Sequence, residues 1–506
     1  MSTEASHKPT HAGSGALAIA SAKMYFILCA YGVQLLLPRF FDSKATFGLF
    51  ASIMNLTAII NNVLVVATIQ TVSKFVSEDP LAREQRLRQG IIFQSLVGCI
   101  LALSVFSSAK WVAYNLLLDP KLTLLLQTVS VVMFCYSLYA ATVGYLNGSQ
   151  SFVKQAGMDF VFSTIRTAGI LLAAVLGFGA LGSIQGLSLA SIAILVFALL
   201  TVGVGKAGEF IPWKRWLAFT APIWLYQIFL NSIMQIDLLV LKRTVAELGI
   251  ASGLSTALAA EQASNLVGEY RAAQTFAFIP YQLILAVTFI VFPKVSRAAS
   301  SGDPATATKT IREAIRFSSI VLLAIASPIA GAAGGVMRIA YPDNYLGGTG
   351  ALTVLSFGMA ALALFVILAT ALSGAGKPTL AAGIAAVAAF IVFFANRILI
   401  QQAGIGDHTP VAAATGTTVG TLVALVFAIA VTRGIFDACI PWLSFLRTAL
   451  AGSVAFFVAH AIAHQTILGA LLALSVSGLA YLGVLFISRE IKLSELKVLI
   501  ANARKR

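Results

Sequence analysis

Long apolar stretches recur from one end of this chain to the other, and they constrain its fold more than any other feature. Of the 506 residues, 59% are hydrophobic and only 10% are charged. A water-soluble domain could not bury that much apolar surface, so lipid must cover it. Helices of about 20 apolar residues cross a bilayer, because they satisfy their backbone hydrogen bonds internally. We therefore predict an all-α polytopic membrane protein of about fourteen transmembrane helices, at roughly 15–37, 47–73, 90–113, 122–146, 153–177, 180–204, 216–241, 267–292, 311–336, 348–373, 379–402, 409–432, 442–464 and 467–488.

Two distant stretches share one pattern, which indicates an internal repeat. GLFASIMNLTAIINNVLVVATIQTVSKF begins at Gly48 and GEYRAAQTFAFIPYQLILAVTFIVFPKV begins at Gly268, an ungapped offset of 220 (268 − 48). Further on, YLNGSQSFVKQAG matches ALSGAGKPTLAAG, with Gly148 opposite Gly374, an offset of 226 (374 − 148). Each copy contains an even number of helices, so both copies enter the membrane from the same side. We therefore predict two six-helix lobes related by a parallel repeat, as in many transporters.

The repeat predicts the organisation of the whole chain. We expect a cytoplasmic tail at 1–14, an N-lobe at 15–204, a linker at 205–215, a C-lobe at 216–432, helices 13 and 14 at 433–488, and a basic cytoplasmic tail at 489–506. The first apolar stretch lacks a clear small-residue cleavage site, which favours a retained helix over a removed signal peptide. The longest outer loop is predicted from about Lys242 to Leu266, with a short helix as an alternative there.

The net charge of +15 follows the predicted topology. Lysines and arginines cluster after helices 2, 6, 8 and 14, and these segments share one side of the membrane with both termini. By the positive-inside rule that side is the cytoplasm. The distribution therefore indicates membrane orientation, and nucleic acid is not among the predicted partners.

Charged residues inside spanning helices cost about 2.5–3.5 kcal/mol each on insertion scales, and they usually face a cavity. We hypothesise that four cations line a lumen for a phosphate-bearing headgroup: Lys23, Arg166, Arg271 and Arg397. Arginine suits this role because its planar fork matches phosphate oxygens. Uncharged polar residues at helical spacing are assigned to the same lumen, with hydrogen bonding between helices as the alternative: Asn55, Asn62, Gln227 and Asn231.

Two aspartates, Asp159 and Asp237, are the predicted ion-coupling or gate residues. Asp237 and Arg271 fall near the outer ends of consecutive predicted helices, where they would pair across the outer mouth. The alternative is that both are interfacial charges that contact lipid headgroups.

Other chemistry is thinly represented in the sequence. No GxxxxGK[ST] loop is present, and we predict no cofactor. The i, i+4 pair His460 and His464 lacks a third ligand, so no metal site is predicted. The cysteines lack CxxC spacing: Cys29, Cys99, Cys135 and Cys439. A membrane enzyme would need an outer loop with catalytic groups, and the predicted loop offers only Glu247 and Glu261.

Three segments, LLLPRFFDSKATFGLFASIMNL, VGEYRAAQTFAFIPYQL and LSGAGKP, resemble the bacterial oligosaccharide or polysaccharide flippases. These belong to the multidrug/oligosaccharidyl-lipid/polysaccharide exporter superfamily, and the resemblance covers nearly the whole chain. The arginine pattern expected at the start of a peptidoglycan-precursor flippase is not seen, which argues against that subfamily.

The resemblance implies two lobes with alternating access in the bacterial inner membrane. It implies that a polyprenyl-diphosphate-linked oligosaccharide moves from the cytoplasmic to the outer leaflet, for polysaccharide or lipopolysaccharide biosynthesis. The partners would be this lipid-linked anionic glycan, membrane lipids, and a polysaccharide polymerase and other pathway proteins. The chain would not be an enzyme. Two alternatives remain open: an H⁺- or Na⁺-coupled multidrug extruder of the same superfamily, and a membrane-embedded polysaccharide polymerase or ligase.

Overall fold

The structure, a computed structural model, describes residues 11–301, 303–436, 441–462 and 466–491. Within these ranges it contains sixteen α-helices and no β-strand. Thirteen helical stretches of the described chain are long and apolar enough to cross a membrane. The predicted all-α polytopic membrane protein is therefore confirmed.

The chain divides into two compact units, the first ending at Asn231 and the second beginning at Ser232. The first unit contains α1 (His11–Phe40), α2 (Lys44–Glu78), α3 (Arg83–Trp111), α4 (Leu122–Gly148), α5 (Phe152–Val175), α6 (Gly179–Val202) and the beginning of α7 (Trp213–Ala251). The second contains the rest of α7 and α8 (Thr256–Ala277), α9 (Ile279–Ser300), α10 (Pro304–Gly331), α11 (Ala333–Ala340), α12 (Thr349–Gly374), α13 (Pro378–Ala403), α14 (Thr409–Phe436), α15 (Trp442–Ala461) and α16 (Ile467–Ile487). The lobe boundaries given by the repeat stay a prediction.

In the first unit, α4 packs against α2, α3 and α6, while α5 packs against α1 and α6. The core between α4 and α5 contains Tyr139, Met158 and Phe162, whose burial removes apolar surface from solvent. At the beginning of α7, the ring of Trp216 stacks on Phe75 of α2 with centroids 5.1 Å apart. This stacking fixes the beginning of α7 within the first unit.

In the second unit, α12 is the central helix. It packs against α8, α9, α10 and α14, and α13 packs against α14. The apolar sequence of α12 matches this position, because a helix that is hydrophobic all round is buried. The last two helices, α15 and α16, pack against each other and against α10.

The single helix predicted at 267–292 is wrong. Two helices, α8 and α9, meet at Phe278. Pro280 is the second residue of α9. A proline cannot donate a backbone hydrogen bond and its ring clashes with the preceding turn, so the longer helix is interrupted there. The described chain has thirteen candidate spans in addition to this broken pair, which agrees with the predicted number of about fourteen.

The outer loop predicted from about Lys242 to Leu266 is also wrong. Helix α7 continues to Ala251, and α8 begins at Thr256 after a short connection. The alanines and leucines of this segment favour helix, since they lose little side-chain freedom there. Lys242 is fully buried and donates to the carbonyl of Ala260, which joins α7 to α8.

Helices α5 and α6 cross at two glycines that leave no room for a side chain. A Cβ added at Gly186 would lie 2.2 Å from the carbonyl oxygen of Gly169. We expect Gly186→Ala to destabilise the protein by about 1–3 kcal/mol, because the two backbones must separate. The measurement is the melting temperature in detergent. Gly157→Ala, on the open side of α5, is the matched control and should not lower it; equal melting temperatures for both variants would contradict the prediction.

Glu490 joins the last helices to the rest of the second unit. Its side chain is 3% exposed. It accepts hydrogen bonds from Ser444 at 2.5 Å, Arg316 at 2.7 Å and Arg447 at 3.3 Å. Burial alone would raise the pKa of the Glu490 carboxyl. The hydrogen bonds from Ser444, Arg316 and Arg447 and the charge of Arg316 together outweigh that effect, so this pKa lies below its ordinary value.

This lowered pKa makes stability depend on pH. Ionised Glu490 stabilises the fold at any pH above its unfolded-state pKa, and that contribution is lost as the pH falls through its folded-state pKa. We expect Glu490→Gln to lower the melting temperature near neutral pH, and the difference from wild type to shrink below about pH 4. Glu313→Gln, at an exposed glutamate of α10, is the control. A difference that stays constant down to low pH would contradict the assignment.

Candidate functional site

In the first unit, the structure brings Lys23 of α1 and Asp159 of α5 together. The Lys23 Nζ lies 3.0 Å from the Asp159 Oδ2, and the two side chains are 54% and 8% exposed. The predicted lumen cation and the predicted coupling carboxylate therefore form an ion pair. The pair neutralises both charges while leaving the lysine accessible.

Arg166 lies two helical turns after Asp159 on α5 and so shares its face. Its guanidinium is 4.7 Å from the ring centroid of Phe26, a cation–π contact between α5 and α1. Among the described residues, no carboxylate pairs with Arg166. The contact uses the face of the guanidinium and leaves the N–H donors at its edge for another acceptor. Arg166 can thus bind an anion without first losing an ion pair.

A chain of amide groups links α2 to α7 within the first unit. The Asn62 Nδ2 donates to the Asn231 Oδ1 at 2.9 Å, and the Asn231 Nδ2 donates to the Gln227 carbonyl at 2.9 Å. Asn55 lies two turns before Asn62 on α2 and is 1% exposed. Asn62 and Asn231 thus form a hydrogen bond between α2 and α7, while the assignment of these polar residues to a lumen stays a prediction.

In the second unit, Asp237 of α7 is completely buried. Its carboxylate accepts hydrogen bonds from Tyr270 at 2.5 Å, Thr417 at 3.0 Å and Gln274 at 3.1 Å, and from the backbone N–H of Leu238 at 2.7 Å. All of these partners are uncharged. A buried carboxylate without a cationic partner is costly when ionised, so this site favours binding of a proton or a small cation. We name these residues, Asp237, Tyr270, Gln274 and Thr417, the carboxylate site.

The carboxylate site is continued by Asn396 of α13, whose Nδ2 donates to the Thr417 Oγ1 at 3.2 Å. The Asn396 Oδ1 is buried and has no hydrogen-bond partner among the described residues. Unused oxygen atoms next to a carboxylate are the kind of ligand that hard cations prefer. The oxygen atoms available in this region thus suit either a proton or a hard cation.

The predicted pairing of Asp237 with Arg271 is not what the structure shows. Gln274 lies between them, with its Nε2 on the Asp237 carboxylate and its Oε1 accepting from the Arg271 Nη1 at 3.3 Å. The predicted position near the outer helix ends is also wrong, because α7 continues from Asp237 to Ala251. The carboxylate site is therefore an interior feature of the second unit.

Arg397 of α13, which the sequence assigns to the lumen, has a carboxylate partner. Its Nη1 contacts the Glu247 Oε2 and donates to the Thr244 Oγ1 at 3.3 Å. The Nε of Arg243 contacts the other oxygen of Glu247 at 2.7 Å. The reason is the length of α7, which carries Glu247 into a helix instead of an outer loop. We name Arg243, Glu247 and Arg397 the arginine–glutamate cluster.

No group of metal-binding side chains occurs in the described part of the chain. Cys29, Cys99 and Cys135 are free thiols. Cys439, His464 and the basic tail from 492 onward lie outside the described residues. Glu247 and Glu261 lie in α7 and α8 and not in an outer loop.

Sequence reasoning missed five of the residues that define these sites: Arg243, Tyr270, Gln274, Asn396 and Thr417. Tyr270 and Gln274 are four residues apart on α8, and this spacing in the sequence places both side chains on one face of the helix. Asn396 and Thr417 had no such signal, because their partners are distant in sequence. Glu247 was noticed but assigned to a loop.

Comparisons with known proteins agree with this architecture. A family model described as "Polysaccharide biosynthesis protein" matches residues 36–348. No curated protein sequence matches the chain. A solved structure described as "Lipid II flippase MurJ, inward closed conformation" is similar with a TM-score of 0.72 at 14% identity, over 94% of this chain and 100% of that one.

Two further structures are transporters of the MOP superfamily. An inward-facing multidrug resistance MATE family transporter gives a TM-score of 0.65 at 12% identity, over 84% of this chain and 98% of that chain. A Pyrococcus furiosus transporter with a reversed polarity of its binding pocket gives a TM-score of 0.59 at 14% identity, over 83% of this chain and 96% of that chain. At these identities the similarity establishes a shared fold, which is the fold that the resemblance implied.

Proposed function

This chain belongs to the family of polysaccharide biosynthesis proteins, and from that premise we propose that it is a flippase for lipid-linked glycans. It would move a polyprenyl-diphosphate-linked oligosaccharide from the cytoplasmic to the outer leaflet by alternating access. The carrying observation is Arg166, a membrane-embedded guanidinium with no paired carboxylate among the described residues. A charge in that position is costly unless a ligand uses it.

The chemistry of the first unit suits a diphosphate headgroup. Arg166 offers a planar fork for phosphoryl oxygens. Lys23 lies on the neighbouring helix and is half exposed, although it is paired with Asp159. A diphosphate bound at Arg166 carries enough negative charge to draw the flexible lysine away from its single carboxylate partner. Arg271 and Arg397 of the second unit belong to the same proposal as further cationic groups for the headgroup.

The carboxylate site supplies a candidate for energy coupling. Asp237 has only uncharged partners, so its occupancy by H⁺ or Na⁺ would change the charge of the second unit. Asp159 is the weaker candidate because Lys23 already neutralises it. A transporter that binds a cation at Asp237 in one conformation only would be driven by the gradient of that ion.

A multidrug extruder is the second candidate, and the carboxylate site favours it. Cationic drugs need buried anions, and the similarity to a MATE transporter extends over most of the chain. The unpaired Arg166 argues for an anionic ligand instead. A polymerase or ligase has the least support, since the predicted loop carboxylates lie in helices.

The proposed setting follows from the same reasoning. The flippase would lie in the bacterial inner membrane with both termini in the cytoplasm, as the distribution of lysine and arginine indicates. A polysaccharide polymerase and other pathway proteins would receive the glycan.

Removing the charge of Arg166 tests the proposed substrate class. We expect Arg166→Gln to lower translocation of a polyprenyl-diphosphate oligosaccharide in proteoliposomes about tenfold or more, because its charge-assisted hydrogen bonds are lost. Arg166→Lys should retain part of the activity, since the charge remains without the fork. Lys154→Gln removes an exposed charge from the same helix and is the matched control. Wild-type translocation by Arg166→Gln would refute the proposal.

Asp237→Asn tests ion coupling. We expect the wild-type protein to be stabilised by Na⁺ over K⁺, or to show a rate that depends on pH. We expect the Asn variant to lose that dependence, because a neutral amide does not take up a proton in this pH range and lacks the negative charge that attracts Na⁺. The measurements are melting temperatures in the two salts and translocation rates across pH. Asp42→Asn, at a carboxylate that accepts a hydrogen bond from the Thr46 hydroxyl, is the control. Identical ion dependence in wild type and Asp237→Asn would exclude this site.

A further inference from the structure

The segment that joins α6 to α7, residues 203–212, is fastened to α3, and we call it the strap. The Nε2 of the buried Gln89 donates to the Ile211 carbonyl at 2.7 Å, and the Ile211 backbone N–H donates to the Gln89 Oε1 at 3.0 Å. The Arg86 Nη1 donates to the Glu209 carbonyl at 2.8 Å. These hydrogen bonds give the strap a fixed position on the first unit.

The strap and the connection between α2 and α3 lie at one surface of the membrane. Each of them joins two helices that are candidate spans. They also touch each other, since the Lys206 Nζ lies 2.9 Å from the Glu84 Oε2 at the beginning of α3. Connections between spanning helices emerge at the level of the lipid headgroups. We name residues 79–88 and 203–215 together the strap surface.

Positive charge predominates on the strap surface, where six lysines and arginines stand against three carboxylates. The ion pair of Lys206 with Glu84 joins side chains that are 79% and 46% exposed. Such exposed pairs contribute little free energy, so the lysine can exchange its partner. Arg88 and Lys214 are exposed and have no ion pair among the described residues. The strap surface therefore has cations to offer to an anionic partner.

Arg88 and Lys206 are carried by two backbone segments that touch. A Cβ added at Gly205 would lie 2.2 Å from the Glu84 carbonyl oxygen and 2.9 Å from the Arg88 backbone nitrogen. Gly205 also has a φ of +74°, a conformation that glycine adopts without strain. The strap thus rests directly on the turn of α3 that carries Arg88. Two exposed cations from distant parts of the sequence are thereby held on neighbouring segments.

Large apolar side chains are exposed on the same surface. Leu81 is 98% exposed, and its backbone N–H donates to the Asp79 Oδ1 at 3.1 Å, which fixes the turn that carries it. Phe210 and Trp213 are also exposed, with ring centroids 6.2 Å apart. Apolar and aromatic side chains beside lysine and arginine are typical of segments in the lipid interface. Because Trp213 begins a candidate span, lipid is the partner that reaches both kinds of side chain.

We propose that the strap surface binds the headgroup of an anionic phospholipid. Arg88 and Lys206 bind the phosphate oxygens, and Lys206 exchanges Glu84 for the phosphate. Leu81 and Phe210 insert among the lipids beside the headgroup. An anionic lipid is favoured over a zwitterionic one, because cations next to the membrane are attracted by net negative charge. The bound lipid would hold the connection between α6 and α7 at the membrane surface, whatever substrate the protein transports.

The test is native mass spectrometry of the full-length protein in detergent, titrated with phosphatidylglycerol or phosphatidylcholine. We expect wild type to bind phosphatidylglycerol more tightly. The double variant Arg88→Gln, Lys206→Gln should bind phosphatidylglycerol about tenfold more weakly, which is about 1.4 kcal/mol, and phosphatidylcholine as wild type does. The double variant Lys154→Gln, Lys377→Gln removes two exposed cations outside the strap surface and is the matched control. It should bind both lipids as wild type does.

Gly205→Ala tests the arrangement without removing a charge. The added methyl group would push the strap away from α3 and separate Lys206 from Arg88, so we expect phosphatidylglycerol to bind about threefold more weakly. Gly177→Ala is the control, because Gly177 also has a positive φ but has no atom within 4 Å of an added Cβ. Equal affinities of the two glycine variants would mean that net charge alone attracts the lipid, and would overturn the proposed site.

The other outcomes are equally decisive. Unchanged affinity for phosphatidylglycerol in Arg88→Gln, Lys206→Gln, or an equal loss in the lysine control, would overturn the proposal. Equal affinity of wild type for both lipids would overturn it in favour of a soluble acidic partner. Competition by glycerol 3-phosphate as strong as that by the lipid would assign the site to a free phosphate instead. Melting temperatures check folding, and the single variant Lys206→Gln gives the same comparison if the double variant unfolds.

Discussion

Lipid solvates neither charges nor unpaired backbone groups, and the interior of this protein is organised around that constraint. Among the described residues, several charges inside the helices have a partner. Lys23 is paired with Asp159, Arg397 with Glu247, and Asp237 with a set of neutral donors. Arg166 departs from this pattern because an aromatic ring takes the place of a carboxylate. Charged groups without an oppositely charged partner, such as Arg166 and Asp237, are the candidate ligand sites.

The sequence predicted what depends on composition and local periodicity. The membrane class and nearly all of the spans follow from apolar windows, which need no knowledge of distant contacts, while the internal repeat stays a prediction. The two misplaced elements have local causes. Pro280 interrupts a helix that hydropathy alone reads as continuous. The segment after Lys242 is less apolar than a typical span, so hydropathy alone predicts a loop there. Its alanines and leucines nevertheless favour helix.

The pairing of charged groups was much harder to predict, because it depends on which helices are neighbours. Glu247 and Arg397 are far apart in sequence, and no spacing rule brings them together. The same holds for Asp237 and Thr417, which meet only when α7 packs beside α14. The identity of the membrane charges was therefore predictable, while their states of pairing were not. That distinction matters for function, since a paired arginine and an unpaired arginine have different affinities for an anion.

The interruption at Phe278 has a mechanical consequence. Because α8 ends there, it is a helix separate from α9, and it carries both Tyr270 and Gln274. These two side chains donate hydrogen bonds to the carboxylate of Asp237 on α7. Binding of a proton or a metal ion to that carboxylate would change these hydrogen bonds. The break at Phe278 would then act as a hinge about which α8 tilts while α9 keeps its packing against α12. A single ionisation event could in this way be amplified into the displacement of an entire helix.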